Sequence, residues 1–400
     1  MARAATRRMP HKRRSLPIAR RRLIDCKLVF MLSAESEAIS VLQRQQELPR
    51  DLIEAVIQRM LSGACSGADM SAFLVGLQRK GETVEELVGA AQAMRRAMIR
   101  IASDFPIVLD TCGTGGDGSQ TFNISTAAAI VIAAAGVPVA KHGNRKVTSS
   151  TGSADVLAEL GINLDASPEV VERCLNELKL CFCFAQRFHP AMKHVAETRR
   201  SIAGPTIFNR LGPLCNPASA NRQVLGVGSA ELQIKLARAL AELGTERSLV
   251  VRGEDGVDEV SLESPTEVLE TRSPALAFEP ATGRAPLGVS ALAGSAVDAP
   301  VTKTIPLVSF FWTPSDFGVG THGRSALFAD SPSASAACIR EALSGRPGAC
   351  RDAVLINAAA GLWLAGVSPN LPQCLTQAAT AIDTGQATTL IHRLSELTQA

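Results

Sequence analysis

The sequence predicts an α/β protein: a small all-helical N-terminal domain, then a larger domain whose mostly parallel central sheet is flanked by helices. Three observations predict it. Residues 34–102 carry apolar side chains at three- and four-residue spacing, whereas after Asp104 the pattern becomes strand, turn, helix, repeated, which is how a covered parallel sheet reads. Gly and Pro, 31 and 21 of 400 residues, are near ordinary usage, excluding collagen-like and disordered chains. The longest apolar run, Ala127 to Ala140, falls short of the ~20 residues of a membrane helix, so no membrane partner is expected.

Each element follows in order. The first 28 residues hold ten Lys/Arg against one Asp, with Pro10 and Pro17 opposing any helix, so residues 1–33 are expected to be a disordered, dispensable basic tail. The rest of the chain is net acidic, which argues against a nucleic-acid partner. In the helical domain, 34–102, the positions Leu52, Ile53, Val56, Ile57 and Met60 form one stripe, and Thr83-Val84-Glu85-Glu86 is a capping box starting a helix that ends near Ile101. No chemistry is visible there.

The α/β domain, 103–400, has expected strands at Pro106–Asp110, Val137–Ala140, Cys181–Ala185, Gln223–Val227 and Ser248–Arg252. Between them lie helices at Ala127–Ala135, closed by Gly136, at Ser153–Leu160, and after Ser167-Pro168, with proline at the first helical position. About 264–313 the period dissolves into Pro, Ala, Gly and Ser, and an irregular insertion is expected. Helices resume from Ser331, including Asp352–Leu364 and Leu371–Asp383. The ten cysteines show neither CxxC pairs nor His at zinc spacing, which reads as the reduced thiols of a cytoplasmic protein.

Chemistry concentrates at three turns. Gly113-Thr114-Gly115-Gly116-Asp117-Gly118 follows a strand and precedes a helix, and such a loop lets backbone N–H groups approach phosphate. Alone the loop is a weak signal, with a plain tight turn as the competing reading. A dinucleotide fold wants an acidic residue roughly 20 residues on; here the next strand runs into Lys141-His142-Gly143-Asn144-Arg145-Lys146, so a phosphate-rich ligand fits better. Asn123-Ile124-Ser125-Thr126 opens the apolar helix, where hydroxyls and free N–H groups serve either as caps or as anion ligands. Adjacent carboxylates in Asp255-Gly256-Val257-Asp258-Glu259 are a solvated acidic turn in isolation, and Mg²⁺ ligands if they face a phosphate site.

These motifs in this order resemble the anthranilate phosphoribosyltransferases, from about residue 34 to the C-terminus. Gly113 to Asp117, Thr121-Phe122-Asn123-Ile124-Ser125-Thr126, Lys141-His142-Gly143-Asn144-Arg145, Gly152-Ser153-Ala154-Asp155, His189-Pro190-Ala191-Met192-Lys193, Thr206-Ile207-Phe208-Asn209 and Asp258-Glu259 all look like family signatures. The resemblance implies a homodimer of two-domain chains, with the segment near 190–210 joining the helical domain, and transfer of phosphoribosyl from 5-phosphoribosyl 1-diphosphate to anthranilate with Mg²⁺. It implies donor contacts at Gly113, Gly116, Asp117, Thr121, Asn123, Ile124, Ser125, Thr126, Lys141, His142, Gly143, Asn144, Arg145, Lys146, Val147, Thr148, Ser149 and Ser153. Anthranilate contacts are implied at Gly113, His142, Asn144 and Arg199, and metal ligation at Ser125, Asp258 and Glu259, with no single general base.

Two departures fall on the acceptor side. Ile202-Ala203-Gly204-Pro205-Thr206 stands where the family commonly has Leu-Gly-x-Arg-Thr, so a second arginine is missing, and Gln186 replaces a usual proline. Competing readings are a pyrimidine nucleoside phosphorylase of the same fold type, whose glycine loop differs, and a nucleic-acid binder supported locally by the basic tail alone.

Overall fold

Four helices lead into the sheet: α1 Ala34–Gln43, α2 Arg50–Leu61, α3 Gly67–Lys80 and α4 Val84–Ala97. The computed structural model describes residues 33–145, 151–273, 290–291 and 307–400. The lead helices start on side-chain caps, Ser33 for α1, Ser66 for α3 and the Thr83/Glu86 capping box for α4. Glu86 is fully buried, and its carboxylate accepts from Leu48 N, Thr83 N and Lys80 Nζ, each at 2.8 Å, so the buried charge is paired.

Helix α4 stops at Ala97, short of Ile101, because the chain turns extended at Met98 and its next amides go elsewhere. Ile99 N donates to Phe188 O and Ile101 N to Pro217 O, which ties the end of the helical layer to the larger domain. Val195, Ile207, Phe208, Leu211 and Leu214 share one apolar cluster with Ile53, Ile57, Phe73 and Leu87. Residues 195–214 therefore pack against the helices although they belong, in sequence, to the sheet domain.

The strands are β1 Leu109–Gly113, β2 Val139–Gly143, β3 Leu180–Phe184, β4 Arg222–Gly226, β5 Arg247–Gly253, β6 Thr266–Arg272, β7 Ser290–Ala291 and β8 Leu307–Trp312. Among the described residues they form one sheet in the order β3-β2-β1-β4-β5-β6-β8-β7. The first five are mutually parallel and the last three antiparallel. Because β1 leads to β2 on one side and pairs with β4 on the other, the winding reverses beside β1, where ligands of such sheets bind at the carboxyl ends.

Two features differ from the sequence reading. Strand β1 begins at Leu109, not Pro106: Pro106 has no N–H, and Val108 N is taken by the Asn221 side chain. It runs on to Gly113, and β2 runs on to Gly143, so Lys141 and His142 are strand residues. The stretch about 264–313 is not irregular throughout, since β6 and β8 pair antiparallel along Thr266↔Trp312 to Thr271↔Leu307. Neither strand alternates apolar and polar side chains, and the sequence between them is rich in Pro and Ala, so no period marks them.

Helix α5, Ile124–Ala134, begins three residues earlier than its apolar run suggests and is buried almost all round, behind β1 and β2. Helices α6 Ser153–Glu159, α7 Pro168–Leu178, α8 Ala185–Phe188, α9 Ala196–Ser201 and α10 Phe208–Leu211 follow. Among the described residues no helix is long and apolar enough to cross a membrane.

Candidate active site

The carboxyl ends of β1 and β2 open into one cleft. Its walls include Gly113, Asp117, Thr121, Asn123, Ser125, Lys141, His142, Gly143, Asn144, Arg145, Ser153, Arg199, Asp258 and Glu259, so residues distant in sequence share one cavity. Lys146, Val147, Thr148 and Ser149 lie outside the described residues, and so do the basic tail through residue 32 and most of the insertion.

The glycine loop is shaped by its backbone. Gly115 and Gly116 take φ of 66° and 78°, a left-handed conformation that costs other residues, and this folds the loop back over the strand ends. Thr114 N donates to Gly226 O, and Gly115 N to Asp258 Oδ2, each at 2.9 Å. Asp117 turns its carboxylate inward, accepting from Ser119 N at 3.1 Å and Asp258 N at 3.3 Å. Gly226 lets the acidic turn approach, because a Cβ there would stand 1.6 Å from Asp258 O.

Asp258 and Glu259 each spend one oxygen on a backbone amide, Gly115 N and Ser125 N respectively, and keep the other. Burial, and after it the neighbouring Asp117 and Glu259, hold the Asp258 carboxyl well above the usual range. Burial also raises Glu259 to about 7, against the opposing pull of Lys141. Crowded carboxylates of this kind beside a serine hydroxyl make a hard-oxygen donor set, which suits Mg²⁺ bound through one or two carboxylates and completed by phosphate and water. That fit does not require an all-protein cage, and among the described residues no group of three or more His, Cys, Asp or Glu forms one.

Lys141 is buried at the end of β2, where its ammonium donates to Thr111 O and, at 3.3 Å, to Ser125 Oγ. Burial lowers its pKa, with Asp110 opposing. Asp110, fully buried on β1, accepts from His142 N at 3.1 Å and Asn216 Nδ2 at 2.8 Å, and burial raises it to about 6. Asn144 and Arg145 form the outgoing turn: Asn144 O accepts from Ala154 N, and Arg145 pairs with Asp155 at 3.1 Å.

His142 has both ring nitrogens engaged. Nδ1 lies 2.9 Å from Gly212 O, which can only accept, so Nδ1 carries the proton. Its Nε2 lies 3.2 Å from Nε2 of His189, whose ring also meets the Cys215 backbone. Burial pushes the two rings down to about 3 and about 4. His142 is thus a wall of the cleft, not a base.

Arg199, on α9, faces the same cleft from the segment packed on the helical layer. Its guanidinium lies 5.5 Å from the Phe208 ring centroid and donates one long bond, 3.3 Å, to Asn209 Oδ1. Burial lowers its pKa. A desolvated guanidinium with spare donors is a ready partner for a carboxylate.

Three residues implied as donor contacts sit elsewhere. Gly116 is exposed at the loop crest, off the cleft wall. The Ile124 and Thr126 side chains are buried behind the wall, and their amides are spent on Phe122 O and Asn123 O, because the first turn of α5 folds back on its own start. Thr151, one of the hydroxyl residues that the sequence places after the Lys141 strand end, lines the cleft, and so do Phe208, Asn209, Gly212 and Pro213, to which the sequence reading gave no role. Thr206-Ile207-Phe208-Asn209 stood out as a signature. Asp110 carried a signal too, as a carboxylate inside an apolar strand.

This is the two-domain architecture of a glycosyltransferase: residues 36–98 match the glycosyl transferase family, helical bundle domain, and residues 106–281 and 289–388 match the glycosyl transferase family, a/b domain. The chain is 45% identical to the anthranilate phosphoribosyltransferase of Rhodopirellula baltica over 361 residues, 90% of this chain and 96% of that protein. It is 44% identical to that of Symbiobacterium thermophilum, covering 88% and 94%. The structure of the Thermus thermophilus enzyme superposes with a TM-score of 0.77 at 36% identity, covering 91% of this chain and 99% of that one. A Saccharomyces cerevisiae anthranilate phosphoribosyltransferase solved in complex with PRPP and Mg gives 0.76 at 26% identity, covering 91% and 98%. The chain belongs to the anthranilate phosphoribosyltransferases.

Proposed function

We propose that this cleft transfers the phosphoribosyl group of 5-phosphoribosyl 1-diphosphate to anthranilate, giving N-(5-phosphoribosyl)anthranilate and diphosphate in the cytoplasmic synthesis of tryptophan. The observation that carries this reading is the convergence of the glycine loop, the Lys141 strand end and the Asp258-Glu259 turn on one cavity that Arg199 faces from the other side.

Asp117, Thr121, Asn123, Ser125, Lys141, Gly143, Asn144, Arg145 and Ser153 hold the donor, with residues 146–149 as further contacts. Asp258, Glu259 and Ser125 would hold Mg²⁺, which supplies charge neutralisation to the departing diphosphate. Lys141, held among Thr111 O and Ser125 Oγ, adds a fixed positive charge on the same side. As the bond from the ribose anomeric carbon to the diphosphate oxygen breaks, its electron pair leaves with diphosphate. The anthranilate nitrogen donates its lone pair to that carbon, and its extra proton is lost to solvent.

An aromatic amine needs no strong base for this attack, and His142 offers none, having both nitrogens committed. The work of the acceptor wall is alignment. Arg199 pairs with the anthranilate carboxylate, while His142, Gly113 and Asn144 bound the ring.

The test is the Mg²⁺-dependent loss of anthranilate fluorescence on adding the donor. A folded protein that binds donor and shows no turnover contradicts the reading.

A further inference from the structure

The amide of Asn123 is oriented by a residue far along the chain. Asn123 Oδ1 accepts from Ser335 Oγ at 2.8 Å and from Thr151 Oγ1 at 2.7 Å, while Asn123 N donates back to Ser335 Oγ at 2.9 Å. With Oδ1 serving two hydroxyl donors, Nδ2 has a single long contact, 3.5 Å to Thr151 O, and is the half of the amide left to donate into the cleft. Ser335 is fully buried near the start of the helix Pro332–Leu343, and the hydrogen bonds of its hydroxyl go to Asn123.

The approach to Ser335 is tied to the same limb of the glycine loop. Phe122 N donates to Leu327 O at 2.8 Å and Ala329 N to Gln120 O at 2.9 Å, so Thr121 and Phe328 form an antiparallel bridge. Residues 327–335 thus clasp residues 120–123 by backbone and by side chain.

We propose that Ser335 is a positioning residue for the phosphoribosyl donor, acting through Asn123 by fixing which face of its amide meets the ligand's anionic oxygens. This rests on reading the cleft as a donor site. Removing the Ser335 hydroxyl takes the acceptor from Asn123 N and leaves Oδ1 with Thr151 Oγ1 alone, so the amide loses half of what orients it.

The experiment is a double-mutant cycle on the affinity for 5-phosphoribosyl 1-diphosphate with Mg²⁺, read by calorimetry without acceptor, for wild type, Ser335→Ala, Asn123→Ala and the double variant. Ser335→Ala should raise the donor Kd about tenfold, leaving kcat and the anthranilate KM within about twofold. In the Asn123→Ala background the same change should add less than about twofold. Ser335→Cys, similar in shape with a weaker donor, should fall between and serves if the alanine variant does not fold. Independent losses in the cycle, or a lowered Tm with unchanged donor affinity, overturn the proposal. A wild-type chain that binds no donor overturns the functional reading as well, which separates the two failures.

Discussion

The two walls of the cleft are built in opposite ways. The donor wall is made of strand ends: Lys141 is the third residue of β2, Gly113, which also bounds the acceptor, ends β1, and the acidic turn is cross-braced to the glycine loop through Gly115 and Asp117. The acceptor wall hangs on short helices, and its cation among the described residues, Arg199, is held by a ring face and a single 3.3 Å bond. The difference teaches where rigidity is placed. Charge that must meet a developing leaving group is fixed by the ladder, whereas the group that captures a neutral-amine substrate by its carboxylate stays lightly held. Loss of charge from the first wall should fall on kcat, loss of its neutral donor contacts on donor affinity, and damage to the second wall on acceptor KM.

The largest expected effect is on the donor wall. Replacing Asp258→Asn and Glu259→Gln together should lower kcat by about 10²–10³, with the fold intact by circular dichroism and the anthranilate KM little changed. Unchanged kinetics at limiting Mg²⁺ would remove the metal role. Next comes Gly226→Ala: its Cβ would stand 1.6 Å from Asp258 O, so the turn must move. An overpacking penalty of about 1–3 kcal/mol should appear as lost turnover or lost Tm. Gly228→Ala is the control, since its Cβ would make an ordinary 3.6 Å contact with Asp117, and activity should hold within about twofold.

On the acceptor wall, Arg199→Ala should raise the anthranilate KM by about tenfold or more, consistent with one charge-assisted pair of about 1.5–3 kcal/mol, and leave the donor KM alone. Arg199→Lys should not restore it, because an ammonium cannot form the two-pronged pair. Equal effects on both substrates would erase the distinction between the walls.

The smallest effect is on stability against pH. Between about pH 6.5 and 4 the unfolded chain protonates histidines that burial keeps neutral in the fold, so His142 and His189 make stability fall as pH falls. Asp110, raised to about 6, works in the opposite direction between its unfolded value and 6. The comparison of variants isolates the histidine part: His189→Gln should lose less Tm than wild type on going from pH 7.5 to 5, by the equivalent of about 1–2 kcal/mol. Parallel pH curves would place the His189 proton in solvent contact.

Much of the donor wall is legible in the sequence because its residues are contiguous. Gly113 to Asp117, Asn123 to Thr126 and Lys141 to Arg145 each sit where a strand or helix must begin or end, so composition and position agree. What escapes is direction and partnership. Nothing local says that Ile124 and Thr126 turn inward while Asn123 and Ser125 face the cleft, since that depends on where α5 starts its turn. Asn216 reaching Asp110, or Ser335 reaching Asn123, are pairings that only the folded chain makes. The acceptor wall is harder still, because α9 and α10 are six and four residues long and have no period to read. In the sheet, β6 and β8 carry no period-two signal, since Val268-Leu269 and Phe310-Phe311-Trp312 place apolar residues side by side.

The direction of β6 carries one more consequence. Thr266 pairs with Gly253 at the cleft end of β5, and Arg272 with Arg247 at the other, so the connection to β8 departs and returns at the floor of the sheet, where Thr271 meets Leu307. Lengthening a connector changes closure entropy only logarithmically. A reporter domain spliced directly after Ser273 would therefore leave the sheet at the end away from the cleft mouth, and turnover should hold.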